Sequence, residues 1–451
     1  METDMTGQEL KLHMQTVFPL ELLRQLAKEY RVVQRERELD IVQLIIALVL
    51  CGGTHEGGRQ FDVLRRYVEG GAPRVVRGAF YAWFAAPLEA MLADLLERAI
   101  AVGQAQPTLL PGILRGVRDW RIFDSTTVKL PNAPALRIEY PGTGEYAAIK
   151  IHKEFSVGTG NLVSYQFSPA RDHDSPFLVV DESRRGTGLL IDLGYASLDR
   201  LGQCDTYDVR YVMRLKENWK PRVDRLVRGA ISDALLVEGA DFDVLLEEDF
   251  IRLDGRTIDA DVTLGCGAQK VQSRLVGIPT PKGYCFFVTN LPRATHGPKQ
   301  VGDLYRVRWE IETDHKVDKA GARLDEIAAR TSSSVRILLL ASLLNTTIAR
   351  TIVQSEKLAV RAGRAATECA GRPPLHPILL MRALAVLHGK VAQLLQCPAA
   401  TSTDWNSLLA ALRHLGHDPN WRRRPSVLDT IQGLTAPPGR KRNQKALREV
   451  A

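Results

Sequence analysis

Between Trp120 and Leu215 the hydrophobic period switches repeatedly, and that alternation restricts the available folds more than any other feature of the chain. Trp120–Thr127 reads as a first strand, and Tyr146–Val157 as a second with Ala148, Ile149 and Ile151 near its centre. Thr159, Gly160 and Asn161 supply a hairpin turn, and Leu162–Phe167 makes a third strand. A helix is expected to start at Ser175, with Pro176 at its first position, and to run through Phe177, Val180 and Ser183. The apolar run Gly188–Asp192 reads as a fourth strand, Leu198–Leu201 as a short helix and Tyr207–Leu215 as a fifth strand. Three strands, helix, strand, helix, strand is the order of an α/β layer architecture with a mixed sheet.

The flanks follow other periods. Residues 1–115 read as helical, with Leu20, Leu23, Ile41, Leu44, Ile45, Leu48, Leu88, Leu92 and Leu95 at helical spacing. Phe61–Glu69, the Gly70-Gly71 turn and Val75–Phe84 could form a helix-turn-helix. Arg65, Arg66, Arg74 and Arg77 would then surround the turn, where such residues meet phosphates or base edges. A plain helical hairpin with a solvated basic face fits the same residues. Residues 221–298 read as a β-rich insertion, with strands at Ile258–Leu264, Val271–Ile278 and Tyr284–Leu291. A long helix is expected from Gly302 to about Leu324, then helices at Val335–Gln354 and Pro377–Leu395. The last 31 residues, from Trp421, hold eight Lys or Arg against two Asp or Glu, concentrated at Arg422–Arg424 and at Arg440–Arg442 with Lys445. A frayed tail or non-specific phosphate contact would explain them.

Composition removes several classes. The 451 residues suggest two to four domains, and 45% hydrophobic with 25% charged residues excludes a disordered or collagen-like chain. A net charge of +8 points toward a polyanionic partner without requiring one. The six cysteines are scattered and form no Cys-x-x-Cys pair, which speaks against a zinc ribbon or disulfide scaffold and for a reducing cytoplasm. The N-terminus lacks a signal pattern, and the apolar runs Ile41–Leu50 and Ile337–Leu344 are short of the roughly 20 residues that span a bilayer, so no membrane partner is expected. No GxxxxGK[ST] loop occurs, so ATP-driven chemistry is unsupported.

One helical stripe and two carboxylates carry the chemistry. Tyr305, Arg308, Glu312 and Lys319 lie at offsets of 0, 3, 7 and 14. At about 100° per residue they fall within roughly 60° of one another, beside an apolar face of Leu304, Val307 and Ile311. A solvated salt-bridge face would show the same spacing. Asp124, however, sits inside the apolar strand Ile122-Phe123-Asp124-Ser125, and Asp192 closes Leu189-Leu190-Ile191. A carboxylate among such neighbours is costly unless its charge is compensated. A divalent cation is a natural partner, because hard cations prefer oxygen ligands. If the two strands are neighbours and Glu312 lies across them, three carboxylates around one or two Mg²⁺ ions make a phosphoryl-transfer site. Asp172-His173-Asp174, followed by Ser175-Pro176, reads as the lead into a helix rather than a metal cluster, and His315 as a residue bordering the site.

The run Tyr305-x2-Arg308-x3-Glu312-x6-Lys319 resembles the YREK signature of transposases of the insertion-sequence-4 family. Phe287–Leu291, Ile122–Val128 and Leu190–Ser197 resemble that family too, and the resemblance covers about residues 117–350. It implies an RNase H-like mixed-sheet core, α/β in class, with a β-strand insertion between the second Asp and the Glu. The 67 residues between Asp124 and Asp192, and the 119 between Asp192 and Glu312, agree with that order. The implied domains are 1–115 (helical, DNA-end binding), 116–220 (the core segment carrying both aspartates), 221–298 (insertion), 299–355 (the core segment carrying the glutamate) and 356–451 (helical, with a basic tail). By resemblance, Asp124, Asp192 and Glu312 are the triad binding two Mg²⁺ ions, with Mn²⁺ as a substitute. Tyr305, Arg308 and Lys319, with Arg214, are implied DNA contacts. The implied activity is cut-and-paste transposition on double-stranded DNA, both terminal inverted repeats and target. A homodimer in the bacterial cytoplasm, at the nucleoid, would carry it out. A structure-selective metal nuclease and a non-catalytic DNA-binding derivative stay open, and a glycosidase with paired carboxylates is a distant fourth.

Overall fold

The computed structural model describes residues 5–33, 39–51, 60–216, 218–219, 221–228, 257–265, 270–281, 283–324, 327–361, 375–419 and 426–433. The basic clusters Arg422–Arg424 and Arg440–Arg442 with Lys445 lie outside the described residues. The strands are β1 (Trp120–Lys129), β2 (Ala148–Ser156), β3 (Leu162–Pro169), β4 (Gly188–Ile191), β5 (Arg210–Arg214), β6 (Arg222–Arg228), β7 (Ile258–Leu264), β8 (Val271–Thr280) and β9 (Gly283–Thr289). They form one nine-stranded sheet in the order β3-β2-β1-β4-β5-β9-β8-β7-β6. β2 runs antiparallel to β1 and β3, while β1, β4 and β5 are parallel. This 3-2-1-4-5 half is the RNase H-like core. β9 pairs antiparallel with β5, so the expected insertion extends the core sheet instead of forming a separate one.

Strand parity decides what each face buries. Trp120, Ile122, Leu190 and Val212 point to one face, under Val301, Leu304, Val307 and Ile311. Phe123, Leu189, Ile191, Tyr211 and Met213 point to the other, against Leu201 and Cys204 of the helix Leu198–Thr206. Each fully buried side chain of this size contributes about 1.5–3 kcal/mol.

The helices before and after the core pack together. Gly7–Val17 lies on Ser402–Gly416, and Ala86–Gln104 lies on the long helix Ser332–Arg361, all within one apolar cluster that also takes Val128, Ile149 and Ile151 of β1 and β2. The stretch Ser332–Ala359 is long and apolar enough to cross a membrane by length and composition, yet 94% of its apolar window is buried inside the protein.

Three local expectations are corrected. No α-helix starts at Ser175; the segment makes 3₁₀ turns at Ser175–Phe177 and Glu182–Arg184. Leu178 between them is extended, and Leu178 and Val180 are buried while Val179 is exposed, so the chain there follows strand parity, which suits β-branched residues. The second helix of the would-be helix-turn-helix is only Arg77–Ala82, and Trp83 and Phe84 turn inward with Tyr67 and Phe80 as an aromatic cluster. The helix expected from Gly302 to Leu324 is two helices, Pro298–Arg306 and Trp309–Gly321. At the join, Arg308 N–H donates to Tyr305 O (3.0 Å) and Ile311 N–H to Arg308 O (3.3 Å), the pattern of a tightened turn.

Candidate active site

The site forms where β4 stops. Phe123 pairs with Ile191 in the last parallel step of β1 and β4, and Ile191 pairs with Met213 of β5. Asp124, Asp192 and Arg214 each follow these residues by one. All three therefore take the parity of Ile122, Leu190 and Val212, on strands about 4.8 Å apart. Asp192 begins the 3₁₀ turn Leu193–Tyr195 but makes no side-chain capping bond, so its carboxylate is left to the site. Asp124 Oδ1 accepts the Ser125 N–H at 2.8 Å.

Glu312 reaches the same place from the first turn of Trp309–Gly321, here termed the Glu312 helix. Arg308 lies between two of the carboxylates: Nη2 donates to Glu312 Oε1 at 2.9 Å, and Nε is 3.7 Å from Asp192 Oδ1. The tightened turn sets Tyr305 and Arg308 three residues apart on one side, with the guanidinium 5.8 Å from the Tyr305 ring centroid. His315, one turn beyond Glu312, brings Nε2 to 3.6 Å from Asp124 Oδ2. The three carboxylate side chains keep 38% (Asp192), 32% (Glu312) and 23% (Asp124) of their surface exposed, enough for a ligand to reach them.

The remaining predicted residues are placed as follows. Tyr305 is buried against Phe287 at 5.1 Å, and burial pushes its phenol up to about 12. Arg214 is exposed and lines a cavity of about 520 Å³ with Leu193, Lys216 and Asn218. Lys319 is half-buried two turns past Glu312 and has no ion-pair partner among the described residues.

Two side chains at the trio carry buried polar atoms without partners: the Tyr305 hydroxyl and both ring nitrogens of His315 have no hydrogen-bond partner among the described residues. Such atoms are rare in folded proteins and call for a polar ligand or water. Three oxygen donors with solvent access, rimmed by these atoms, suit a hard divalent cation with its waters. A tighter group stands beside them: Asp314, His315 and Asp318 have ligand atoms all within 4.8 Å of one another. Lys153 and Arg350 already compensate those two buried aspartates, so that group has no free charge to offer a cation.

Sequence reasoning missed several neighbours. Asp174 caps no helix; it accepts from Ser125 Oγ at 2.9 Å and pairs with Lys150 at 2.9 Å. Lys153 is another, and its signal lies in the strand Ile149-Lys-Ile-His-Lys-Glu-Phe155, which carries more charge than a buried strand tolerates without partners. Its partners, Asp314 and Asp318, are an i,i+4 acidic pair on the inward side of the Glu312 helix.

The chain is similar to several known proteins. The chain is 28% identical over 238 residues to the transposase for insertion sequence element IS231D of Bacillus thuringiensis subsp. finitimus, covering 44% of this chain and 49% of that protein. It is 28% identical over 257 residues to the IS231F transposase of Bacillus thuringiensis subsp. israelensis, covering 48% and 52%. The chain thus spans about half the length of these curated relatives. A cryo-EM structure of a piggyBac transposase synaptic complex with hairpin DNA is similar at TM-score 0.45 and 12% identity, over 89% of this chain and 84% of that one, a likeness too distant to argue from. The family described as Transposase DDE domain matches residues 115–348, a span containing both aspartates, the glutamate and every core strand, and the chain belongs to that family.

Proposed function

We propose that the protein is a cut-and-paste transposase of an insertion sequence, of the insertion-sequence-4 group, with Asp124, Asp192 and Glu312 as its catalytic carboxylates. One observation carries the reading. Asp124 in the middle of β1 and Asp192 just past the end of the parallel strand β4 meet one overlying helix region: Arg308 pairs with Glu312 and lies 3.7 Å from Asp192, and His315, one turn past Glu312, lies 3.6 Å from Asp124. Asp124, Asp192 and Glu312 would hold Mg²⁺ or Mn²⁺, two ions in the active form. Bound there, the metal supplies activation of the attacking oxygen and stabilisation of the leaving one.

The chain's own residues do the rest. Water attacks the scissile phosphodiester at the element's end and frees a 3′-hydroxyl. That hydroxyl then attacks a target phosphodiester in one transesterification, without a covalent protein–DNA intermediate. Arg308, with a planar fork of donors, grips a phosphate; Lys319 adds a point charge; Arg214 meets the strand beside Asp192. Tyr305 walls the site and offers its unpaired hydroxyl. The partners are the terminal inverted repeats and target DNA, held by a homodimer because two ends must be joined, in the cytoplasm at the bacterial nucleoid. The helices before residue 115 are the candidate end-binding region.

The test uses plasmid carrying the DNA that flanks the gene on both sides. Wild-type protein with Mg²⁺ should cut at the element's ends and join pre-cut ends to a target plasmid. Asp124→Ala, Asp192→Ala and Glu312→Ala should each fall to the metal-free background while still shifting the DNA on a gel. Full cleavage by any one of them refutes its assignment. Cutting without joining would make the protein a nuclease on the same core.

A further inference from the structure

The Glu312 helix is seated on charge. Its buried residues are Ile311, Asp314, His315, Val317, Asp318 and Gly321, so three of the six are polar or acidic. Lys153, on β2, stands directly opposite Asp124 in the β1–β2 register and shares its face of the sheet. Its ammonium contacts Asp314 and reaches Asp318 at 2.6 Å, with all three side chains at 2% exposure or less. Arg350 of Ser332–Arg361 closes the group: Nε lies 2.5 Å from Asp314 Oδ1, and the guanidinium stacks 5.0 Å above the Phe155 ring centroid. Thr346 donates to Asp318 Oδ1 at 3.0 Å. Two carboxylates face two cations, so the group is neutral. Burial alone would lower Lys153's pKa, but Asp314 and Asp318 outweigh it and keep the ammonium charged.

Replacing such a buried ion cluster by apolar side chains usually costs no stability, so stability alone does not account for it. What it supplies is direction. Apolar burial is non-directional, so it fixes the rotation of a helix about its axis less sharply than ion pairs do, and a slip of one residue would swing Glu312 by about 100° and move it about 1.5 Å. Ion pairs from a strand and from a second helix to residues 314 and 318 fix that rotation.

We propose that Lys153, Asp314, Asp318 and Arg350 form an ionic clamp that positions Glu312 over Asp124 for metal binding, with Lys153 and Asp318 as positioning residues. The proposal rests on the catalytic reading of the trio. Lys153 faces Asp124 across the sheet and is itself ion-paired to the helix that carries Glu312, so it couples two of the three carboxylates without touching substrate.

The test compares full-length wild type, Asp124→Ala and the charge-balanced double variant Lys153→Gln/Asp318→Asn, which leaves Asp314 paired with Arg350. Melting temperature, Mn²⁺ affinity from a titration of free Mn²⁺ by electron paramagnetic resonance, and kcat and KM for cleavage are measured. The double variant should melt near wild type yet bind Mn²⁺ about 10- to 100-fold more weakly, as loss of groups that orient metal ligands does, with lower kcat and an unchanged KM for DNA. A folded double variant with wild-type Mn²⁺ affinity and kcat overturns the clamp. If only Asp124→Ala loses Mn²⁺ binding, the catalytic reading stands and the clamp falls. If wild type shows no Asp124-dependent Mn²⁺ binding, both fall. Should the double variant melt out, Thr346→Val, which removes the hydroxyl shared between Asp318 and the Ser342 carbonyl within its own helix and leaves every ion pair of the clamp in place, must still weaken Mn²⁺ binding several-fold; a wild-type value overturns the proposal.

Discussion

Arg308 does two jobs with one guanidinium. It sits between Asp192 and Glu312, where two carboxylates on converging elements would otherwise repel, and its planar fork has further donors that a phosphate can engage. Because a hydrogen bond to a charged group is worth about 1.5–3 kcal/mol, Arg308→Ala should weaken binding to element-end DNA by about 10- to 100-fold. A gel-shift titration at moderate salt measures this, and unchanged complexes would remove the phosphate role. The residue was legible in the sequence from its offset to Tyr305 and Glu312. Its embrace of Asp192 was not, because that partner lies more than a hundred positions away.

The strand that carries Asp192 is short and closely seated. β4 runs only from Gly188 to Ile191, with β1 on one side and β5 on the other. A Cβ at Gly188 would lie 2.4–2.8 Å from ring atoms of Trp120, which is itself fixed by a 3.0 Å bond from Nε1 to Leu114 O. A buried indole pinned in this way cannot yield cheaply. Gly188→Ala should cost about 1–3 kcal/mol and push β4 away from β1. Thermal melting measures the cost, and metal-dependent cutting should fall with it because Asp192 moves. A variant with wild-type melting would show that the sheet absorbs the extra atom. The strand itself was readable from Leu189, Leu190 and Ile191; the reason for its first glycine was not.

Helices from before and after the core sheet, Gly7–Val17 and Ser402–Gly416 among them, close over one apolar cluster, and burial there and in the core ties the stability of the fold to pH. His13, on the first helix, and His152, on β2, titrate at about 4 in the folded protein, in each case chiefly because burial disfavours the charged ring. A hydrogen bond to the Ile348 backbone raises His13 in part, and Asp174 does so for His152. In the unfolded chain both return to roughly 6.5. Below that pH the unfolded chain takes up protons that the fold refuses, so stability is full above about 6.5 and declines as pH drops toward 4. The melting temperature should therefore fall between pH 7 and pH 5, and the double variant His13→Gln/His152→Gln should show a shallower decline. Equal slopes for the two proteins would rule these histidines out as the cause.

Local periodicity was enough to read the five core strands and three of the four insertion strands, because alternation and turn residues act over a few positions and need no distant partner, whereas Asp124, Asp192 and Glu312 were joined as a set by resemblance to a family. The stretch after Ser175 misled for the same reason: a proline and a capping serine suggest a helix, but burial of Leu178 and Val180 on the sheet drew the chain into an extended path. Which strands became neighbours, whether the insertion joined the core sheet, and which cations answer the buried aspartates depended on contacts between residues far apart in the chain. A buried charge is stable only beside its counter-charge, and for Lys153 those counter-charges lie 161 and 165 residues away, on a helix that meets β2 only once the whole sheet has formed.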